Sequence, residues 1–191
     1  MMKQGFRKRV LAALAFCMML GVVLCMQTEA SAAAPKGVKV TYNGKSITFN
    51  REITWKGDQP VVKLHSEPKT LKDVEKKWGK KTRLAKDGEE YAGEAYVWKK
   101  GKTFISVRQD PGGKYLGYVY VESKDKNAAV AGVKVGMKKE TAVKKLQKLY
   151  GKDAVMADKG KKGVITSGGD WGMLEITFKN GRISGIVWMR S

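Results

Sequence analysis

The chain has little of the side-chain chemistry that most enzymes and metal sites use. Its 191 residues include one histidine, His65, and two cysteines, Cys17 and Cys25, which both lie in the apolar N-terminal segment. Once that segment is removed the chain has no cysteine, which excludes disulfides, thiolate metal sites and a cysteine nucleophile. A single histidine also excludes zinc and haem sites of ordinary composition. The sequence therefore predicts no metal and no cofactor.

Long apolar runs are equally scarce, and the one present lies at the N-terminus. Residues 10–26 form an uncharged run of 17 residues that follows a basic segment and precedes the small residues Ala30-Ser31-Ala32. This order is typical of a secretory signal peptide, and the run is shorter than the roughly 20 residues of a membrane-spanning helix. We expect residues 1–32 to be a signal peptide cleaved after about Ala32, and the product to be a secreted or otherwise extracytoplasmic bacterial protein.

Acidic residues are few compared with basic ones. The chain has 38 Lys and Arg against 18 Asp and Glu, a net charge of +20. Removal of residues 1–32 leaves 34 basic and 17 acidic residues, or +17 over 159 residues. In a cytosolic protein this excess would indicate nucleic acid, but in an exported one it favours anionic cell-wall polymers or a membrane surface. A merely solvated surface is the alternative, because no block of five basic residues occurs.

An internal repeat organises the chain after residue 60. When residues 62–123 are laid over 133–191, similar residues recur in order through a predicted helix and the strands that follow it. The sequence therefore divides into an N-terminal hairpin segment (33–60), repeat 1 (61–123), a linker (124–131) and repeat 2 (132–191). The matched positions that carry this alignment are Leu71, Val74, Trp78 and Gly79 with Val143, Leu146, Tyr150 and Gly151, each 72 residues later, and Ile105 and Val107 with Ile176 and Phe178.

Each repeat begins with a helical pattern and continues with strands. Leu71, Val74 and Trp78 fall at i, i+3 and i+7, which is one apolar stripe at helical period. Alternating residues then predict strands at 91–98, 103–109 and 114–122, and at 164–167, 174–179 and 182–190. Asn43-Gly44 and Asn180-Gly181 are strong hairpin signals. The predicted fold class is α+β: an antiparallel sheet from two α-β-β-β(-β) repeats, with helices packed on one face and an N-terminal β-hairpin in front.

The strands predict an aromatic-rich sheet face away from the helices. Because strand side chains alternate, we expect Ile183, Gly185, Val187 and Met189 to face the helices. The opposite face is then rich in residue types that are enriched in protein-binding surfaces. The predicted binding surface consists of Tyr96, Trp98, Phe104, Arg108, Tyr118, Tyr120, Lys179, Trp188 and Arg190. The alternative is that the N-terminal hairpin folds over this face and makes its aromatics a second core layer.

Candidate catalytic groups are sparse. His65 is followed by Ser66 and Glu67, but adjacency in sequence does not give the spatial convergence that a catalytic triad needs. The carboxylates Asp87, Glu89, Glu90 and Glu94 have the pattern of a solvated loop, and the glycine-rich segments 160–163 and 167–170 lack phosphate-binding spacing. We therefore expect no enzymatic activity, with a hydrolase using Ser66 or these carboxylates as the remaining alternative.

The second repeat carries a family resemblance. The segment GMKKETAVKKLQKLYG (136–151), together with the doubled α-β-β-β unit, resembles the β-lactamase-inhibitory-protein-like fold and the small outer-membrane-assembly lipoprotein domains that share this unit. In the first repeat, His65-Ser66 stands where Gly136-Met137 stands in the second. The resemblance implies a helix-backed antiparallel sheet whose free face binds another protein. The predicted function is an exported, non-catalytic protein-binding module; the alternative is an envelope protein held by anionic polymers or lipid.

Overall fold

A computed structural model of the protein describes residues 37–84, 95–168 and 172–190. The predicted signal peptide and its cleavage site lie outside the described residues, as do residues 91–94 of a predicted strand, Gly169 and Asp170, and the loop carboxylates Asp87, Glu89, Glu90 and Glu94. Within these three stretches no helix is long and apolar enough to cross a membrane.

The described residues form a mostly antiparallel β structure with two helices, which fits the predicted α+β class and is predominantly β. The helices are α1 (Leu71–Trp78) and α2 (Lys139–Tyr150). The strands are β1 (Val38–Tyr42), β2 (Lys45–Phe49), β3 (Arg51–Lys56), β4 (Gln59–Leu64), β5 (Arg83–Leu84), β6 (Ala95–Lys100), β7 (Thr103–Gln109), β8 (Leu116–Ser123), β9 (Ala128–Val130), β10 (Val133–Lys134), β11 (Val155–Ala157), β12 (Lys162–Ser167), β13 (Met173–Lys179) and β14 (Arg182–Arg190).

These strands form two sheets and a separate ribbon. The large sheet has eight strands in the order β11-β12-β13-β14-β8-β7-β6-β5. A smaller sheet has the order β10-β9-β1-β2, and β3 and β4 pair only with each other among the described strands. Strand β9 lies in the segment 124–131, which the sequence indicates as a linker, and it pairs with β1 through Val40 and Val130. The linker therefore adds a third strand to the N-terminal hairpin, and β10, at the start of repeat 2, adds the fourth.

Helix α1 begins at a reciprocal cap. The Thr70 hydroxyl accepts from the Asp73 backbone N–H at 3.2 Å, and the Asp73 carboxylate accepts from the Thr70 N–H, also at 3.2 Å. The hydrogen bond from the Thr70 side chain is the main cause that lowers the pKa of Asp73. Leu71, Val74 and Trp78 are buried as the apolar stripe predicts. The cap and the stripe together fix where α1 starts and which side it buries.

An aromatic cluster lies between the large sheet, helix α1 and the β1–β2 hairpin. The Trp78 ring lies 6.0 Å from Tyr42, 6.1 Å from Phe49 and 5.4 Å from Trp98, measured between ring centroids. Phe49 is also 5.7 Å from Trp188. The N-terminal hairpin therefore packs on the same side of the large sheet as α1. It covers the aromatics on that side, which we call the core face.

A register shift interrupts the pairing of β13 with β14. Phe178 pairs with Ile183, but Thr177 pairs with Gly185, so Ser184 is an extra residue in β14. Such a bulge reverses the alternation of side chains beyond it. Each residue of β14 after the bulge therefore faces the side of the sheet opposite to the one that regular alternation from Ile183 predicts.

The bulge places residues 186–190 of β14 on the sides of the sheet opposite to those predicted. Ile186 and Trp188 are buried on the core face together with Ile183. Val187 and Met189, which regular alternation from Ile183 predicts to face the helices, lie on the opposite side and are half-buried. The prediction for these two residues is wrong because it assumes a strand without a bulge.

Candidate functional site

The side of the large sheet opposite the core face carries the candidate binding surface, which we call the outer face. Strand pairing places its central residues together: Tyr120 lies opposite Ser106 on β7 and Met189 on β14. Glu122 lies in the same way between Phe104 and Val187. The outer face around the β8–β14 contact is formed by Phe104, Ser106, Arg108, Tyr118, Tyr120, Glu122, Glu175, Val187 and Met189.

The aromatic rings of the outer face contact one another and a guanidinium. Phe104 and Tyr120 pack edge to face with 6.1 Å between centroids, and the Arg108 guanidinium lies 5.7 Å from the Tyr118 ring centroid. These are ordinary distances for aromatic and cation–π pairs. All four side chains are half-buried. The rings therefore present polarisable surface in defined positions.

Charged groups border these aromatics. The Tyr120 hydroxyl lies 3.4 Å from Glu122 Oε2, and Lys124 Nζ lies 2.9 Å from Glu122 Oε1. Glu175 extends from β13 on the same face, opposite Val187. A partner at this surface would meet an apolar centre with charges of both signs around it.

Four of the residues predicted to form the binding surface lie instead on the core face. Tyr96, Trp98 and Trp188 are buried among core aromatics, and Arg190 is buried against a carboxylate. Two register effects explain this correction. The two-residue turn Gly101-Lys102 places Trp98 opposite Ile105 and Tyr96 opposite Val107, and the β14 bulge turns Trp188 and Arg190 inward.

The other five predicted residues divide into a group of four and one outlier. Phe104, Arg108, Tyr118 and Tyr120 come together on the outer face. Lys179 is exposed and pairs with Arg182 beside the β13–β14 turn, four residues along β13 from Glu175. It is therefore not part of the central group.

The sequence interpretation missed methionines and a whole ribbon. Met173, opposite Met189, is exposed on the outer face. The ribbon β3–β4 exposes Ile53, Trp55 and Val61. The alternating run REITWK and the turn Gly57-Asp58 were available as signals for this ribbon, since a glycine in a two-residue turn between alternating segments is typical of a hairpin.

A buried ionic cluster holds the end of β14. Arg190 makes two hydrogen bonds to the Glu67 carboxylate, at 2.5 and 2.6 Å, and the Asn50 backbone N–H donates to Glu67 Oε2 at 3.1 Å. Arg51 donates to the carbonyl of Leu116 at 2.7 Å. Burial first, and the neighbouring Arg190 charge second, lower the pKa of Arg51. Two buried guanidiniums thus lie close to a single carboxylate.

The side chains of the neighbours His65, Ser66 and Glu67 do not contact one another, although Ser66 and Glu67 both contact Asn50. His65 Nε2 lies 3.3 Å from Glu52 Oε2, the Ser66 hydroxyl donates to Asn50 Oδ1 at 3.3 Å, and Glu67 holds Arg190. The geometry does not bring them together around one reacting atom. In the part of the chain that the structure describes, no three His, Cys, Asp or Glu side chains are grouped as metal ligands.

Comparison of the chain with known proteins found no relative. No protein family, curated protein sequence or solved structure matches the chain. The family resemblance drawn from the sequence therefore stays a prediction, and the function has to be inferred from the residues of the chain itself.

Proposed function

We propose that this protein is an exported, non-catalytic module that binds another protein through the outer face of its large sheet. The observation that carries the proposal is the grouping of Phe104, Tyr118, Tyr120 and Arg108 with Met189 at the β8–β14 contact. Aromatic residues, Met and Arg are enriched at protein interfaces. The mixed charges of Glu122, Lys124 and Glu175 around this centre supply the polar rim that such interfaces have.

We propose further that the surface lies where two copies of a duplicated unit meet. Helix α1 precedes strands β5 to β8, and helix α2 precedes strands β11 to β14. The sheet order is the same in both halves when it is read outward from the β8–β14 contact. This arrangement supports the repeat that the sequence predicts, and with it the resemblance to the β-lactamase-inhibitory-protein-like fold. The aromatic centre then belongs to neither copy alone.

The experiment compares two immobilised variants with the unmodified protein. Phe104→Ala combined with Tyr120→Ala is expected to lose a protein captured from the exported fraction of the producing cell. The loss should correspond to an affinity roughly 30-fold lower or more, since two central aromatics are typical hot-spot residues. The control, Trp55→Ala, removes an exposed aromatic from the β3–β4 ribbon and should capture the same protein as the unmodified chain.

The readout separates loss of binding from loss of folding. Both variants should retain a cooperative unfolding transition in urea, followed by far-ultraviolet circular dichroism. If the outer-face variant is folded and captures the same protein as the unmodified chain, the outer face is not the binding surface. Equal loss of capture in the Trp55→Ala control would contradict the proposal in the same way.

A second candidate function is retention by anionic polymers or lipid of the cell envelope. A shallow depression of about 360 Å³ beside α2 has an apolar floor at Leu149 and Ala131, and Lys39, Lys145 and Lys148 line it. Three lysines around an apolar floor fit an anionic group with a non-polar attachment. Such binding is expected to weaken as salt screens the charges.

Retention predicts release from washed cell envelopes at a characteristic salt concentration. Lys145→Ala with Lys148→Ala should be released at clearly lower salt than the unmodified protein. The control, Lys72→Ala with Lys77→Ala, removes the same charge from exposed positions of α1. If both double variants are released at the same salt concentration, the depression has no special role. Attachment that does not respond to salt would exclude an electrostatic mechanism.

A further inference from the structure

The β3–β4 ribbon exposes an apolar side. Pairing of Ile53 with Val62 and of Trp55 with Pro60 places these four side chains, with Leu64, on one side of the ribbon. Trp55 is 70% exposed and Ile53 is 45% exposed. A two-stranded ribbon is only marginally stable in water when nothing covers it. Contact between Ile53 of one copy and Trp55 of a second copy would remove part of this apolar surface from water.

The two edges of the ribbon differ in their capacity to pair. Strands β3 and β4 are joined by the two-residue turn Gly57-Asp58, with φ of 59° at Gly57. Lys56 and Gln59 are therefore the hydrogen-bonded closing pair, and alternate residues point their backbone groups outward. On β4 the outward residues include Pro60, which has no N–H to donate. On β3 they include Ile53 and Trp55, and among the described strands β3 has no other partner.

The sequence of β3 is complementary to itself when reversed. In an antiparallel pair of two β3 strands centred on Thr54, Ile53 of one copy lies opposite Trp55 of the other. That pair uses the outward backbone groups, so each such pair contributes two main-chain hydrogen bonds. Glu52 then lies opposite Lys56 of the second copy, in the closely spaced, non-hydrogen-bonded pairs where side chains approach nearest. Opposite charges and an aromatic with a β-branched residue are both favourable cross-strand pairs.

We propose that two copies of this protein associate through their β3 edges into a continuous four-stranded ribbon, with the two-fold axis at Thr54. The pairing is isologous, so it closes as a dimer and does not continue into a fibre. Within each copy Glu52 also lies opposite Lys63, which gives a row of alternating charge across the dimer. Each copy contributes one strand of six residues, fewer than the roughly 20–30 residues a side of a stable interface. The dimer is therefore weak and forms as the concentration is raised.

Charge exchange tests this geometry. Lys56→Glu alone places a second carboxylate opposite Glu52 and should weaken the dimer by about tenfold or more, since two attractive pairs become repulsive. Glu52→Lys combined with Lys63→Glu keeps an opposite-charge pair within the ribbon, but it places a second ammonium group opposite Lys56 and should weaken the dimer equally. An equimolar mixture of the two variants restores both attractive pairs and should associate again. Sedimentation velocity over a concentration series at low salt measures all three samples.

Two outcomes would overturn the proposal. The first is a sedimentation coefficient of the unmodified protein that does not rise with concentration. The second is a dimer that both charge variants form as readily as the unmodified chain, because another surface would then hold it. Circular dichroism of each variant establishes that the fold is retained. The outer-face variant Phe104→Ala with Tyr120→Ala should dimerise normally, so failure of this proposal is distinct from failure of the proposed function.

Discussion

Replacement of Glu67 by alanine is expected to lower the free energy of unfolding by about 3–5 kcal/mol, because it leaves buried positive charge without a counter-ion. The Glu67 side chain is fully buried and Arg190 is 3% exposed. Arg51, also buried, donates hydrogen bonds to the carbonyls of Leu116 and Gly117. Removal of the carboxylate would leave two guanidiniums close together in the interior. The Asn50 N–H would also lose its acceptor.

Urea unfolding of the purified variant measures this loss. The midpoint should fall sharply while the slope with urea stays unchanged, since the surface exposed on unfolding is the same. The matched control is Lys124→Ala, which breaks the exposed Lys124–Glu122 ion pair at 2.9 Å and should cost less than about 1 kcal/mol. Similar losses in the two variants would contradict a buried role for the Glu67–Arg190 pair.

A double replacement distinguishes the charge from the packing. Glu67→Met with Arg190→Met removes both charges and keeps side-chain volume at the end of β14. Buried ion pairs can often be replaced by apolar residues with little loss, so this variant should be more stable than Glu67→Ala. A double variant that is less stable than the single one would show that the contacts of Arg190, including its position 5.2 Å from the Phe49 ring, matter more than its charge.

The helices, most of the strands and the β1–β2 hairpin follow from local patterns in the sequence. The stripe of Leu71, Val74 and Trp78 and the turn Asn180-Gly181 act over a few residues. Such short-range signals can be interpreted without knowledge of the rest of the fold. The pairing of β9 with β1 has no such signal, because it joins residues about 90 positions apart through an apolar segment too short to show a period.

The faces of the strands are only partly predictable, for a physical reason. Alternation gives two sets of residues in each strand, but only the register tells which sets share a face. For β6 and β7 the turn Gly101-Lys102 contains that information, since it pairs Trp98 with Ile105. For β14 the sequence alone does not reveal that Ser184 is an extra residue. After Ser184, the residues that alternation assigns to one side of the sheet face the other side. The same bulge explains why Trp188, predicted for the binding surface, lies in the core.

Replacement of Trp98 by alanine is expected to lower the free energy of unfolding by about 3–5 kcal/mol, the cost typical of removing a large buried aromatic. The Trp98 ring is 1% exposed and packs against Trp78 at 5.4 Å. Its Nε1–H also donates to the carbonyl of Gly79 at 2.9 Å, where α1 ends. The variant would therefore leave a cavity and remove a hydrogen bond that holds the end of α1 to the sheet.

Phe104→Ala is the matched control, because Phe104 lies on the neighbouring strand β7 and faces the opposite side of the sheet. Its ring is half-buried, so its removal should cost less than about 2 kcal/mol. Far-ultraviolet circular dichroism in a urea series suits both variants, since Trp98 contributes to the fluorescence of the native state. A large loss in Trp98→Ala with a small one in Phe104→Ala places Trp98 in the core and Phe104 on the outer face. Equal small losses would return Trp98 to the binding surface, and the outer face would no longer be the one favoured for a partner.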